Sequence, residues 1–165
     1  MKEILLGRFR KEDMVDRLNS DPESFCETLD LALDGLETVS WRAAWVLYHS
    51  MTEQDVRLQP HVEEIINAIQ GKKDGHQREL LRILEKLDIP EELEGLLFDV
   101  GMTVWEQTGK IPSVRLFALR NILRIAKKYP AIKSELDFFT DFHYTESLSP
   151  GIRNAVERMF KELQK

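Results

Sequence analysis

Apolar residues along this chain recur at helical spacing almost everywhere. Leu80, Ile83, Leu84 and Leu87 form an i, i+3, i+4, i+7 stripe, and Ala118, Leu119, Ile122, Ile125 and Ala126 form another. Strand signals are weak. The Asp74-Gly75 pair lies in the polar stretch GKKDG, not between alternating apolar runs. Prolines punctuate the pattern. Pro22, Pro60, Pro90 and Pro130 each open a segment rich in acidic residues, and Pro112 and Pro150 precede basic ones. Proline suits the first turn of a helix, where its missing N–H would be unpaired anyway. Asp21-Pro22 and Ser149-Pro150 read as an N-cap followed by a first helical position. The spacing predicts proline-led helices over about 22–34, 60–70, 90–107 and 130–143. Return helices are predicted over about 39–52, 76–87, 113–128 and 151–164, with one or two more in 2–19. Gly35, Gly71 and Gly109 fall where helices should stop.

The return segments carry a second period. Arg42, Arg78, Arg115 and Arg153 stand 36, 37 and 38 residues apart, each near the start of an apolar-rich stretch. A period of this length is the mark of stacked helical repeats. On a helical wheel Arg42 and Arg78 lie opposite their apolar stripes, whereas Arg115 falls inside its own. These arginines are therefore expected to make hydrogen bonds or ion pairs between helices.

Val114-Arg115-Leu116-Phe117-Ala118-Leu119 resembles the opening of the second helix of HEAT repeats, members of the armadillo-type α-solenoids. Trp41-Arg42-Ala43-Ala44 and Ile152-Arg153-Asn154-Ala155 are looser matches, and Gln77-Arg78 is looser still. Tetratricopeptide repeats are the rival: Trp41, Ala44, Trp45 and Tyr48 sit at that motif's aromatic spacing, but Trp45 occupies its glycine position. The HEAT resemblance implies an all-α, right-handed α-α superhelix, a short solenoid of about four helix pairs. It implies a single domain over 1–165, with 1–20 as an N-terminal cap and 21–165 as repeats. It also implies that first helices form the convex layer and second helices the concave one.

Charge adds to this picture. The chain has a formal charge of −6, yet the charge is divided. Segments 21–35, 60–71, 90–108 and 130–146 hold sixteen acids and one base, Lys133. Segments 40–50, 75–88, 112–128 and 150–165 hold thirteen bases and five acids. Carried onto the solenoid, this gives an acidic outer face and a basic inner groove. The richest piece is 113–128, where Phe117, Arg120, Arg124, Lys127 and Lys128 share the polar side. Arg82 and Lys86 take similar places on the preceding return helix. An aromatic amid arginines suits packing against an acidic peptide or stacking on a base. Trp41, Trp45 and Tyr48 are expected in the core between repeats. Phe138 and Phe142 are expected on a buried face, with Phe139 at its edge.

Candidate chemistry is sparse. There is no P-loop, G-x-G-x-x-G, HExxH, G-x-S-x-G or EF-hand pattern. Cys26 stands alone, is expected as a small core residue beside Phe25 and Leu29, and fits a reducing compartment. His61 and Glu64 share a face, but two ligands do not make a metal site, and no metal or cofactor is expected. Glu63-Glu64 and Glu91-Glu92-Glu94 sit in first helical turns, where negative charge offsets the helix dipole. The opening MKEILLGRFRKEDM lacks a long apolar core, and no membrane span is expected, so the cytoplasm is the default. The sequence points to a non-catalytic interaction module that binds an acidic protein or peptide segment through its basic groove. The alternatives are nucleic-acid binding or an enzyme with an unrecognised site; lyase and glycosylase signatures are not matched.

Overall fold

The computed structural model describes residues 1–34 and 37–163. Among them there are α-helices and 3-10 turns but no strand. The chain divides into two compact units, 1–89 and 90–165.

The first unit contains α1 (Lys2–Leu6), α2 (Lys11–Ser20), α3 (Pro22–Leu33), α4 (Glu37–Ser50), α5 (Val62–Ala68) and α6 (Asp74–Glu85). A 3-10 turn, Gln59–His61, leads into α5. The predicted cap of α3 is present. Asp21 accepts from the Glu23 N–H at 3.1 Å and from the Ser24 hydroxyl at 2.6 Å, with Pro22 next to it in the first turn. Gly71 adopts φ +71°, the left-handed conformation that glycine enters without a Cβ penalty, and this turn carries the chain towards α6. Gly35, the other predicted stop in this unit, lies outside the described residues. Helix α4 packs against α2, α3 and α6, and its Ala43, Ala44, Val46 and Leu47 are fully buried.

A polar knot ties the loop after α4 to earlier helices. Asp55 is buried and accepts from the Arg57 guanidinium at 2.7 and 2.9 Å and from the N–H groups of Thr52 and Arg57. Burial pushes the Asp55 carboxyl up, but these hydrogen bonds outweigh it and hold the group below the usual carboxylate range. The same guanidinium lies 4.1 Å from the centre of the Phe25 ring and donates to the carbonyls of Leu18 and Ser50.

The second unit contains α7 (Glu91–Glu106), α8 (Pro112–Ala126), α9 (Pro130–Glu135), a 3-10 turn (Asp137–Thr140), α10 (Phe142–Thr145) and α11 (Pro150–Leu163). Helices α7 and α8 pack closely, and α8 also meets α11. Trp105, Leu119, Ile122, Phe139, Val156 and Phe160 belong to one buried cluster. Gly101 lets α7 approach α8. A Cβ there would lie 2.9 Å from Ile122 Cγ1 and 3.5 Å from the Ala118 carbonyl.

Four sequence expectations are corrected. The helix expected over 130–143 is broken into α9, a 3-10 turn and α10. The break rotates the aromatic residues, so Phe139 is fully buried while Phe138 and Phe142 are 43% and 73% exposed, the reverse of expectation. Cys26 is exposed rather than in the core. Trp41 is 37% exposed, and Trp45 and Tyr48 are only partly buried, because α4 buries its Ala43–Ala44 side instead.

Three of the four periodic arginines tie helices together by donating to backbone carbonyls. Arg42 donates to Leu5 O at 2.5 Å and Gly7 O at 3.0 Å. Arg115 donates to Trp105 O at 2.9 Å, Tyr144 O at 2.8 Å and the Ser147 hydroxyl at 3.0 Å. Arg153 donates to Thr145 O at 3.0 Å and Glu146 O at 3.3 Å. These carbonyls lie at or beyond helix ends, where no further turn supplies an N–H donor. Arg78 departs from the set and bonds its neighbour Glu79.

Candidate functional site

Helix α8 and the two residues after it hold five of the seven predicted binding residues. The helix carries three arginines and no acidic residue. Arg115 turns inward, while Arg120 stays exposed and Phe117 and Arg124 are half-buried. The Arg120 guanidinium lies 5.4 Å from the centre of the Phe117 ring, within the range of cation–π attraction. Arg124 Nη2 donates to Asn121 Oδ1 at 3.2 Å. Asn121 is fully buried and donates from Nδ2 to the Phe117 carbonyl one turn back at 2.9 Å, which fixes the oxygen that Arg124 meets. Ring and amide orient the two guanidinium groups.

Arg120, Arg124 and Lys127 line a cavity of about 280 Å³ together with Leu123 of α8 and Met159 and Glu162 of α11. Leu123 and Met159 supply an apolar floor, and Glu162 is the one acid among its described walls. Leu123, Met159 and Glu162 are not among the residues expected from sequence. The charge signal marked one helix, whereas a cavity between two helices depends on their packing.

Lys128 behaves differently from its neighbours. Its ammonium pairs with Glu94 of α7, which is buried and also accepts from the Tyr129 hydroxyl at 2.7 Å. Burial raises the Glu94 carboxyl, but the bonds from Lys128 and Tyr129 prevail and hold it below its ordinary range. Lys128 therefore works as a strut between α7 and the end of α8.

Arg82 and Lys86 belong to the first unit. The Arg82 guanidinium lies 3.7 Å from the centre of the Tyr48 ring, and the Lys86 ammonium lies 4.6 Å from it. Arg82 also donates to Glu79 Oε2 at 2.8 Å, while Arg78 holds Glu79 Oε1. One fully buried carboxylate thus serves two arginines, and the Lys86 ammonium lies 4.0 Å from Glu53 Oε1. The first unit repeats the theme of α8, cations set on an aromatic face, with the aromatic supplied by α4.

Other candidate chemistry does not assemble. His61 Nδ1 meets Glu64 at 3.2 Å, and among the described residues no group of three metal-ligating side chains comes together. No described helix is long and apolar enough to cross a membrane.

No curated protein and no solved structure matches this chain. A family model does: the HEAT repeat domain matches residues 1–163, nearly the whole length. The match agrees with the paired helices and with the arginines that staple their ends, and this chain belongs to the HEAT repeat domain family.

Proposed function

We propose that this protein is a non-catalytic interaction module that binds an acidic protein or peptide segment on the basic face of α8. The observation that carries this reading is the paired presentation of Arg120 on Phe117 and Arg124 on Asn121, at the rim of a cavity with an apolar floor. A guanidinium can grip a carboxylate through two parallel hydrogen bonds. Lys127 adds charge at the same rim, and the apolar floor accepts an aliphatic side chain of the partner. Helical repeats suit this work because stacked helices present extended surface without a deep catalytic pocket. In the first unit Arg82 and Lys86 also stand over an aromatic ring, that of Tyr48, while pairing with Glu79 and Glu53.

The test is a fluorescence-anisotropy titration with a labelled peptide in which Glu and Asp alternate with Leu. Binding should weaken by about ten-fold or more in Arg120→Glu/Arg124→Glu, since reversing charges at a contact replaces attraction with repulsion. Unchanged affinity in that variant would sink the reading. A labelled single-stranded oligonucleotide is titrated in parallel. Tight oligonucleotide binding that falls steeply with salt, with no peptide binding, would put nucleic acid in the peptide's place.

A further inference from the structure

The first unit holds a larger cavity, of about 540 Å³, at the start of α6. We propose that it binds a small ligand joining a phosphate group to a planar ring, a nucleoside monophosphate in chemical class. Its volume lies within the range of small-molecule sites. Its described walls include Trp41, Lys72, Lys73, His76 and Arg78 and no acidic side chain.

Each half of such a ligand has a counterpart. Trp41 is 37% exposed, although its α4 neighbours Ala43 and Ala44 are fully buried. The exposed part of the indole borders the cavity, where a planar ring can stack on it. The phosphate has three cations to meet. Lys72 Nζ donates to the Asp34 carbonyl at 3.1 Å, a neutral partner that steers the ammonium without cancelling its charge. Arg78 is the one periodic arginine that does not tie backbone carbonyls, and its side chain keeps 33% of its surface exposed while sharing Glu79 with Arg82. Lys73 completes the set. Lysine and arginine give phosphate its strongest hydrogen bonds, because both partners are charged.

The cavity is also open and held in place. A Cβ on Gly75 would meet no atom within 4 Å, so the mouth has room. The His76 ring is fixed by a bond from Nε2 to the Ala32 carbonyl at 2.7 Å and forms part of the wall. No residue of this site belongs to the α8 face, so it stands or falls apart from the peptide reading.

The experiment titrates the full chain at low salt with adenosine monophosphate, adenosine and inorganic phosphate, followed by calorimetry and tryptophan fluorescence. The nucleotide should bind saturably, with adenosine and phosphate each about ten-fold weaker or worse, because each lacks half of the contacts. Trp41→Ala should weaken nucleotide binding by about ten-fold, while Trp41→Phe, which keeps a ring, retains most of it. Lys72→Glu/Lys73→Glu should abolish it without lowering the melting temperature appreciably. Arg120→Glu/Arg124→Glu should leave it unchanged, which separates this test from that of the peptide reading. Three results would overturn the proposal: no nucleotide binding at millimolar concentration, equal affinity for inorganic phosphate, or full binding in both the Trp41→Ala and the double-lysine variants.

Discussion

The guanidinium of Arg115 lies 4.5 Å from the centre of the Trp105 ring, and its Nε donates to the Trp105 backbone carbonyl at 2.9 Å. A single side chain thus holds both the ring and the backbone of the residue near the end of α7. Arg115 is fully buried, and burial pulls its pKa below the ordinary arginine value. Its named hydrogen-bond acceptors are two carbonyls and a hydroxyl, so the charge is met by dipoles and a π face rather than by a carboxylate.

Arg115→Met keeps most of the volume and removes all three hydrogen bonds. It leaves the Trp105 and Tyr144 carbonyls without this donor. Stability should fall by about 2–4 kcal/mol, read from urea unfolding. Relief of the buried charge works the other way. A loss under about 0.5 kcal/mol would mean that this relief equals the value of the bonds.

The two glycines of α7 should respond in opposite directions to alanine. At Gly101 the new Cβ would press on Ile122 Cγ1, and Ile122 is fully buried and cannot swing aside. Gly101→Ala should cost about 1–3 kcal/mol by overpacking, even after the gain in helix propensity. At Gly95 a Cβ meets nothing within 4 Å, so Gly95→Ala should stabilise by about 0.5–1 kcal/mol. Thermal unfolding of both variants beside the parent decides it; a stabilised Gly101→Ala would show that α7 and α8 do not need this close approach.

His76 should make stability depend on pH near neutrality. Burial lowers its pKa from 6.5, the nearby Lys72 charge lowers it further, and the bond to Ala32 opposes them. Below pH 6.5 the unfolded imidazole takes up a proton that the folded one refuses. Stability is therefore complete above that pH and is lost as pH falls towards the folded value. Burial shifts His49 in the same direction, with Arg82 adding to it. The melting temperature should drop between about pH 7.5 and 5.5, a window above the titration of ordinary carboxylates. His76→Gln should shrink that drop; an equal drop in the variant would place its origin elsewhere.

Much of the fold was legible because helix signals are local. Proline at helix starts, glycine at Gly71 and the Asp21 cap act within one turn, and outside 130–143 the observed helices begin and end within a few residues of the predicted ones. The arginine period also carried through as structure: Arg42, Arg115 and Arg153 are staples. What did not read through depends on contacts between elements. Trp41 and Trp45 resemble core residues by composition, yet the small Ala43 and Ala44 take the buried side of α4, where close packing favours them. The run around Phe139 reads as one helix until the break turns that ring inward. Lys128 and Arg124 look alike in sequence, and only the structure shows that Lys128 bonds Glu94 of α7 whereas Arg124 bonds Asn121 of its own helix.

That separation gives the most direct measurement. The labelled acidic peptide is titrated against Arg120→Gln, Arg124→Gln and Lys128→Gln, three neutralisations within one stretch of basic chain. The account predicts about a three- to ten-fold loss of affinity for each arginine variant. It predicts almost none for Lys128→Gln, whose cost should appear instead as lower stability, because the buried Glu94 loses its lysine. An equal loss in all three would show that only net charge matters and would contradict a site built on Phe117 and Asn121.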